Sequence, residues 1–307
     1  MTHDIKEIAV LTRRQIVLGA AAAVAVPTPA ACGSNARYEA AVRSARRHGG
    51  VLSGDRAATL RELVRYATLA PSSHNTQCWK FRIEPSAVTI KPDFSRRCPA
   101  VDPDDHHLFV SLGCAAENLV QAALANGHRA EVSGDTKSGG GVRLILEPTT
   151  PMASPLFQAI VDRQSTRGDY DGQPVSPAEL RLLEQAGMGS GVRVQLLTAR
   201  PMMERVLEYV VAGNTAQMND SAFVDELKLW IRFSADEALR AGDGLYAGAS
   251  GNAVLPRWLA SPAMSLFFNA ESENERYARQ IRNSAGIAVF VSEVNDKAHW
   301  VEVGRSY

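Results

Sequence analysis

The sequence predicts an α+β chain with internal repetition, on three observations. Residues 106–126 have helical spacing and are apolar almost all round (Leu108, Val110, Leu112, Ala115, Ala116, Leu119, Val120, Ala123 and Leu124). A helix without a polar face belongs in an interior. Short β-type runs at 79–83, 87–92, 142–146, 192–197 and 287–291 read as strands. Finally, Trp300-Val301-Glu302-Val303-Gly304-Arg305 parallels Phe109-Val110-Ser111-Leu112-Gly113-Cys114 of the long helix.

With 307 residues the chain can bury a large core and form one large domain or two. Its 33 basic and 33 acidic residues cancel. It therefore lacks the basic excess of an electrostatic nucleic-acid binder. Beyond the N-terminal region no uninterrupted apolar run reaches the ~18 residues of a membrane span.

The N-terminus reads as an export address. Thr12-Arg13-Arg14-Gln15-Ile16-Val17-Leu18 resembles a twin-arginine signal, and a short Ala-rich apolar core over 16–26 precedes Pro27-Thr28-Pro29-Ala30-Ala31-Cys32. Residues 1–31 are expected to be a removable leader, with cleavage near Ala31 and Cys32 a candidate for lipid attachment. The mature protein would then be periplasmic or associated with the cell envelope, without a membrane span.

After a basic, Gly-flanked segment over 35–54, residues 59–70 read as a helix on Leu60, Leu63, Val64 and Ala67. Pro71 is expected to end it, having no N–H for the helical ladder. The loop Ala70-Pro71-Ser72-Ser73-His74-Asn75-Thr76-Gln77-Cys78-Trp79-Lys80-Phe81 packs hydroxyls, an imidazole and amides beside a Trp. Such a density of donors and acceptors suits a planar ligand with many polar edge atoms; the plainer reading is an Asx/Ser turn between helix and strand. Strands at 79–83 and 87–92 follow, then an Arg-, Pro- and Asp-rich loop over 95–105.

Asp102, Asp104, Asp105, His106 and His107 stand directly ahead of the long helix, where Asp caps and complements the helix dipole. Capping is preferred over metal binding for them. Asn126-Gly127 ends that helix. Cys78, Cys98 and Cys114 have no metal-type spacing, and Cys114 reads as a small core residue. No metal ligand set is assigned.

A polar, Pro-bearing linker over 147–155 opens the second half. Arg163-Gln164-Ser165-Thr166-Arg167 places two guanidinium groups around a hydroxyl, a donor set suited to a phosphate dianion. Taken alone such a turn is more often a solvated surface. A helix over 177–187, the turn Met188-Gly189-Ser190-Gly191 and a strand at 192–197 follow. Helical stretches at 203–211 and 223–233 then open an insert running to about residue 279. Trp230 reads as core, whereas Tyr246 and Trp258 could be either core or part of a lid.

Pro71-Ser72-Ser73-x-Asn75-x-Gln77 closed by Trp79, together with Arg163-x-Ser165-x-Arg167, resembles the two signature segments of the FMN-binding nitroreductase superfamily. The resemblance implies that Arg163, Ser165 and Arg167 grip the FMN phosphate and ribityl chain. It also implies that Pro71, Ser72, Ser73, Asn75 and Gln77 lie against the ring. Here each half holds the motif the other lacks. The chain thus looks like two protomers of that family fused into an intramolecular pseudo-dimer with one composite site, similar to the Acg-like subgroup.

The expected lobes are 38–150 and 151–307, the latter carrying the insert over 203–279. Because the second copy of the buried helix begins near Trp300 and the chain stops at Tyr307, the second lobe is expected to be incomplete at its C-terminal end. The resemblance implies an exported monomeric oxidoreductase moving electrons from a small-molecule donor through FMN to a nitroaromatic, quinone or similar acceptor. Its alternative is an Acg-like protein that binds or sequesters FMN without turnover. Since the flavin carries the redox chemistry, no catalytic side chain is assigned. Export in the folded state fits a cofactor inserted before translocation.

Overall fold

The computed structural model describes residues 29–49, 55–135 and 140–307; the twin-arginine motif and the leader's apolar core lie outside the described residues. In the first half, helix α1 (Pro29–Ala45) precedes α2 (Arg56–Ala67), whose N-terminus is capped by the Asp55 carboxylate accepting from the N–H groups of Ala57 and Ala58. Strands β1 (Trp79–Glu84) and β2 (Ala87–Pro92) form a tight hairpin. They are followed by the long helix α3 (His106–Ala125), then β3 (His128–Asp135) and β4 (Gly141–Pro148). The four strands make an antiparallel sheet in the order β1-β2-β4-β3, with Phe81 opposite Ile90 and Val88 opposite Leu144.

One face of this sheet, carrying Val88, Ile90, Val142 and Leu144, is buried against α3. Leu60, Leu63, Tyr66 and Ala67 of α2 close the same core. By length and composition α3 would suit a membrane span. Its Leu108, Leu112, Ala115, Ala116 and Leu119 are instead almost wholly buried in protein. Burying each such Leu contributes roughly 1.5–3 kcal/mol, so this helix is the centre of the fold. Asp105 occupies its N-cap in a left-handed conformation, but the buried Asp102 does the capping, its Oδ2 accepting from Leu108 N at 3.0 Å.

The second half begins with a short helix α4 (Pro155–Ala159) and continues with α5 (Pro177–Ala186), which opens on a Ser176/Glu179 capping box with Pro177 in its first turn. Strand β5 (Val192–Leu197) leads into the insert. The insert comprises α6 (Arg200–Met218), α7 (Ser221–Trp230), β6 (Ile231–Arg232), α8 (Ala235–Ala241), β7 (Leu245–Tyr246), α9 (Arg257–Phe267) and α10 (Ala270–Arg282). The chain then returns through β8 (Ile287–Ser292), antiparallel to β5, and ends in α11 (Lys297–Ser306).

Helix–turn–strand–strand–helix is thus the order of both α2-β1-β2-α3 and α5-β5-β8-α11. The difference is that 198–286 replaces the two-residue turn Pro85-Ser86. The two final helices cross closely. A Cβ on Gly113 would collide with the Val301 carbonyl, and one on Gly304 with the Val110 carbonyl. Only glycine permits that backbone approach. Trp300 packs on His106 and Phe109 at the same crossing.

One expectation needs correcting. The helix expected over 223–233 stops at Trp230, where Ile231 turns extended and Arg232 forks onto Asp243, pairing β6 with β7. Strand β3 was not anticipated. Trp258 is 76% exposed and fills no core, while Trp230 is buried as expected.

Candidate functional site

The helix ahead of the Ser72–Gln77 loop ends at Ala67, before Pro71, because a residue preceding proline is pushed out of helical backbone. The chain tightens instead, with Leu69 N donating to Tyr66 O and Ala70 N to Ala67 O. A single 3₁₀ turn over Ser73–Asn75 follows. His74, Asn75 and Gln77 all sit at positive φ, at 47°, 53° and 55°. Left-handed backbone at a non-glycine residue costs on the order of 1–3 kcal/mol and persists only where the surroundings over-determine it.

Those surroundings are visible. Ser72 Oγ accepts from Gln77 N at 3.1 Å, and Gln77 Nε2 donates to Asn75 Oδ1 at 2.8 Å. Asn75 is stitched to the insert twice: its Nδ2 donates to Gly244 O at 2.9 Å, and Gly244 N donates to Asn75 O at 2.8 Å. Gly244 stands at φ 78°, and a side chain there would strike Trp230 O. The neighbouring Asp243 bridges Arg96, which also donates to Thr76 O, and Arg232.

The segment 163–167 lies against the start of this loop. Arg163 Nη2 donates to Leu69 O at 2.9 Å, 94 residues away in the chain. Its buried Nε meets no acceptor among the described residues. Beside it, Arg46 Nη1 donates to Val161 O and Arg163 O at 3.0 and 2.9 Å. Neither guanidinium forms an ion pair with a carboxylate among the described residues. Burial and the adjacent Arg46 cation hold the Arg163 guanidinium below the ordinary arginine range, offset in part by Tyr307 and Cys114. Two like charges without an acid between them form a place where an anion is stabilised.

Arg167 and Ser165 are exposed, and the Arg167 carbonyl accepts from Gln280 Nε2 at 2.8 Å. The Arg167 charge is felt at His74, whose imidazole is held below its ordinary value by burial first, Glu226 opposing and Arg167 and His107 adding. The structure therefore brings Arg163 to the start of the Pro71–Gln77 loop, while Arg167 is bonded through its carbonyl to Gln280 of α10. Gln77 spends a side-chain donor on Asn75 and Asn75 spends one on Gly244, leaving Ser73 at a small cavity of about 10 Å³ with Thr76, Cys78, Arg96, Cys98 and Asp102. Arg46 was missed by sequence reasoning; its only signal was the basic character of the 35–54 segment.

A wider cleft of about 370 Å³ lies by the other turn, between Met188-Gly189-Ser190 and Glu117, Glu302 and Arg305. Among the described residues its lone cation, Arg305, is already bound by both carboxylates. The cleft is thus poorly suited to a phosphate.

No family model matches the chain. Two proteins of Mycobacterium tuberculosis, from strains CDC 1551 / Oshkosh and ATCC 25618 / H37Rv, both bear the name "Putative NAD(P)H nitroreductase" and are 29% identical to it over 181 residues. The chain resembles nitroreductases. The alignment takes in 57% of this chain and 51% of each relative, so the chain spans about half the length of the curated relatives it matches. The mixed helices and sheets agree with an α+β fold.

Proposed function

We propose that this chain is an exported FMN-binding oxidoreductase of nitroreductase type, delivering electrons to a nitroaromatic, quinone or similar small-molecule acceptor. The observation that carries the reading is Arg163: a guanidinium with a buried, unmatched N–H, beside a second arginine and bonded to the entrance of the Ser72–Gln77 loop. A phosphate monoester would satisfy that donor and relieve the repulsion between the cations. The donor set fits FMN in this respect.

Arg163, Arg46 and Arg167 would neutralise the phosphate, with Ser165 as a further donor, and Pro71, Ser72, Ser73, Asn75 and Gln77 would lie along the ring. Bound FMN supplies two-electron acceptance from a nicotinamide donor and its return to the acceptor. The chain's own part is to bind, to orient and, through the insert stitched to Asn75, to limit access of water to the loop.

The reading includes a fused pseudo-dimer acting as a monomer. Support comes from the helix crossing, where Gly113 meets Val301 and Gly304 meets Val110, the equivalent pairs of the two repeats. Export by the twin-arginine route, to the periplasm or cell envelope, rests on residues 12–18.

A second reading, sequestration of FMN without turnover, is favoured by the reciprocal Asn75–Gly244 bonds that hold the insert over the loop. The test is the absorbance spectrum of the purified protein before and after NADPH, with a nitroaromatic acceptor. Turnover with about one FMN per chain supports the enzyme; a bound flavin that does not turn over supports sequestration. A protein that stays colourless with added FMN, or whose Arg163→Gln/Arg167→Gln variant keeps its full flavin content, sinks both.

A further inference from the structure

We propose that His74, Cys98 and Glu226 form a binding site for a zinc-class divalent cation. They come from three separate segments: the strained loop, the Arg- and Pro-rich segment after β2, and helix α7 of the insert. One ligand atom from each lies within 4.8 Å of the other two.

The spacing agrees with coordination. With zinc–sulfur at about 2.3 Å and zinc–nitrogen at about 2.0 Å, tetrahedral angles separate sulfur from nitrogen by about 3.5 Å. Cys98 Sγ and His74 Nδ1 are 3.7 Å apart. Thiolate, imidazole and carboxylate together match a borderline-soft ion rather than magnesium or calcium, which take oxygen ligands.

The groups are also held in place. Glu226 accepts backbone N–H bonds from Ala100 at 2.9 Å and Val101 at 3.2 Å, one to each oxygen, which leaves each oxygen a lone pair for the ion. Cys98 is 4% exposed, and its position beyond Arg97 is fixed by the Arg97–Asp105 ion pair. His74 is turned toward Cys98 by its left-handed backbone. Binding would release the Cys98 thiol proton to solvent, form one metal–sulfur bond, and leave a fourth coordination position for water. The site would tie the insert to the loop independently of Asn75, closing chain segments 24 and 128 residues long.

The competing description is a simple thiol–imidazole hydrogen bond with Glu226 capping the 100–101 backbone. Full-length protein, stripped with chelator and titrated with Co²⁺, separates the two. The expected result is one equivalent of cobalt with a near-ultraviolet thiolate-to-cobalt charge-transfer band, and one zinc displacing it. Cys98→Ser should abolish the band, Glu226→Gln should weaken binding at least tenfold, and Cys114→Ser should change neither. Should Cys98→Ser not fold, Glu226→Gln alone decides, because that side chain lies on the partly exposed face of α7. No charge-transfer band in the wild type, a band surviving in folded Cys98→Ser, or unaltered affinity in Glu226→Gln would overturn the assignment. None of these readouts needs flavin, so a colourless protein that binds cobalt defeats the functional proposal and leaves this one standing.

Discussion

The two helix-to-strand turns at equivalent places in the two halves solve the same geometric problem with different residues. After α5, Met188-Gly189-Ser190-Gly191 puts glycine at its positive-φ position (67°) and closes with a Gly189–Val192 bridge. After α2, the chain adopts left-handed backbone three times without one glycine. A chain that needs only to turn uses glycine there at little steric cost. Keeping His74, Asn75 and Gln77 in strained positions means that their side chains are wanted at that spot. The surroundings agree: one turn faces paired arginines that lack an acid partner among the described residues, and the other faces an arginine bound by Glu117 and Glu302.

The largest effect expected from this comparison is at the crossing that joins the halves. Gly113→Val and Gly304→Val each drive a side chain into a partner-helix carbonyl. Each should cost about 3 kcal/mol or more in chemical denaturation. If the halves are related as proposed, the two costs should be similar; a mild effect at one of them breaks the equivalence. Next in size is Arg46→Gln. Losing a charged donor to phosphate costs about 1.5–3 kcal/mol, so FMN affinity by fluorescence titration should fall roughly 10- to 150-fold. Arg305→Gln, in the other cleft, should leave it unchanged. Equal losses would mean that the two clefts are not distinguished in the way their charges imply.

The parts of this picture legible in the sequence were those with local or repeating patterns. The apolar surface of α3, the Gly113/Gly304 correspondence and both ligand-type motifs could be read directly. Arg46 could not, because it reaches Val161 and Arg163, which lie 115 and 117 residues further along. Strand β3 was hidden by its own chemistry: it is an edge strand, and His128, Arg129 and Glu131 are the charged or polar residues such edges carry. Helix α7 ended early because an Arg232–Asp243 pair, spanning eleven residues, overrides local spacing. The His74–Cys98–Glu226 cluster was invisible for the same reason as Arg46.

Substitutions in the turns themselves sharpen the comparison at smaller scale. Gly191→Ala places a methyl at positive φ against the His299 ring at 3.1 Å, and should destabilise by about 1–2 kcal/mol. Gln77→Gly relieves the same backbone conformation. It loses one amide bond to Asn75, so its stability should stay within about 0.5 kcal/mol of wild type while FMN binding weakens. A large destabilisation in Gln77→Gly would show that the loop is held by its side chains for structure rather than for a ligand.

The smallest effect expected is electrostatic and sits on the helix that leads into the strained turn. Glu62 on α2 is bonded by Arg65 and lies near Arg47, next in sequence to Arg46. The Arg65 hydrogen bond, against some opposing burial, holds the Glu62 carboxyl below its ordinary 4.5. A lowered folded-state value means that the pair contributes fully above pH 4.5, and that its contribution is lost as pH falls through the folded value. Glu62→Gln should therefore cost about 0.5–1 kcal/mol at pH 7. The deficit should vanish when denaturation is repeated in acid below that range. A deficit independent of pH would locate the effect in packing of α2 rather than in the charge pair that braces the Arg46 side of the site.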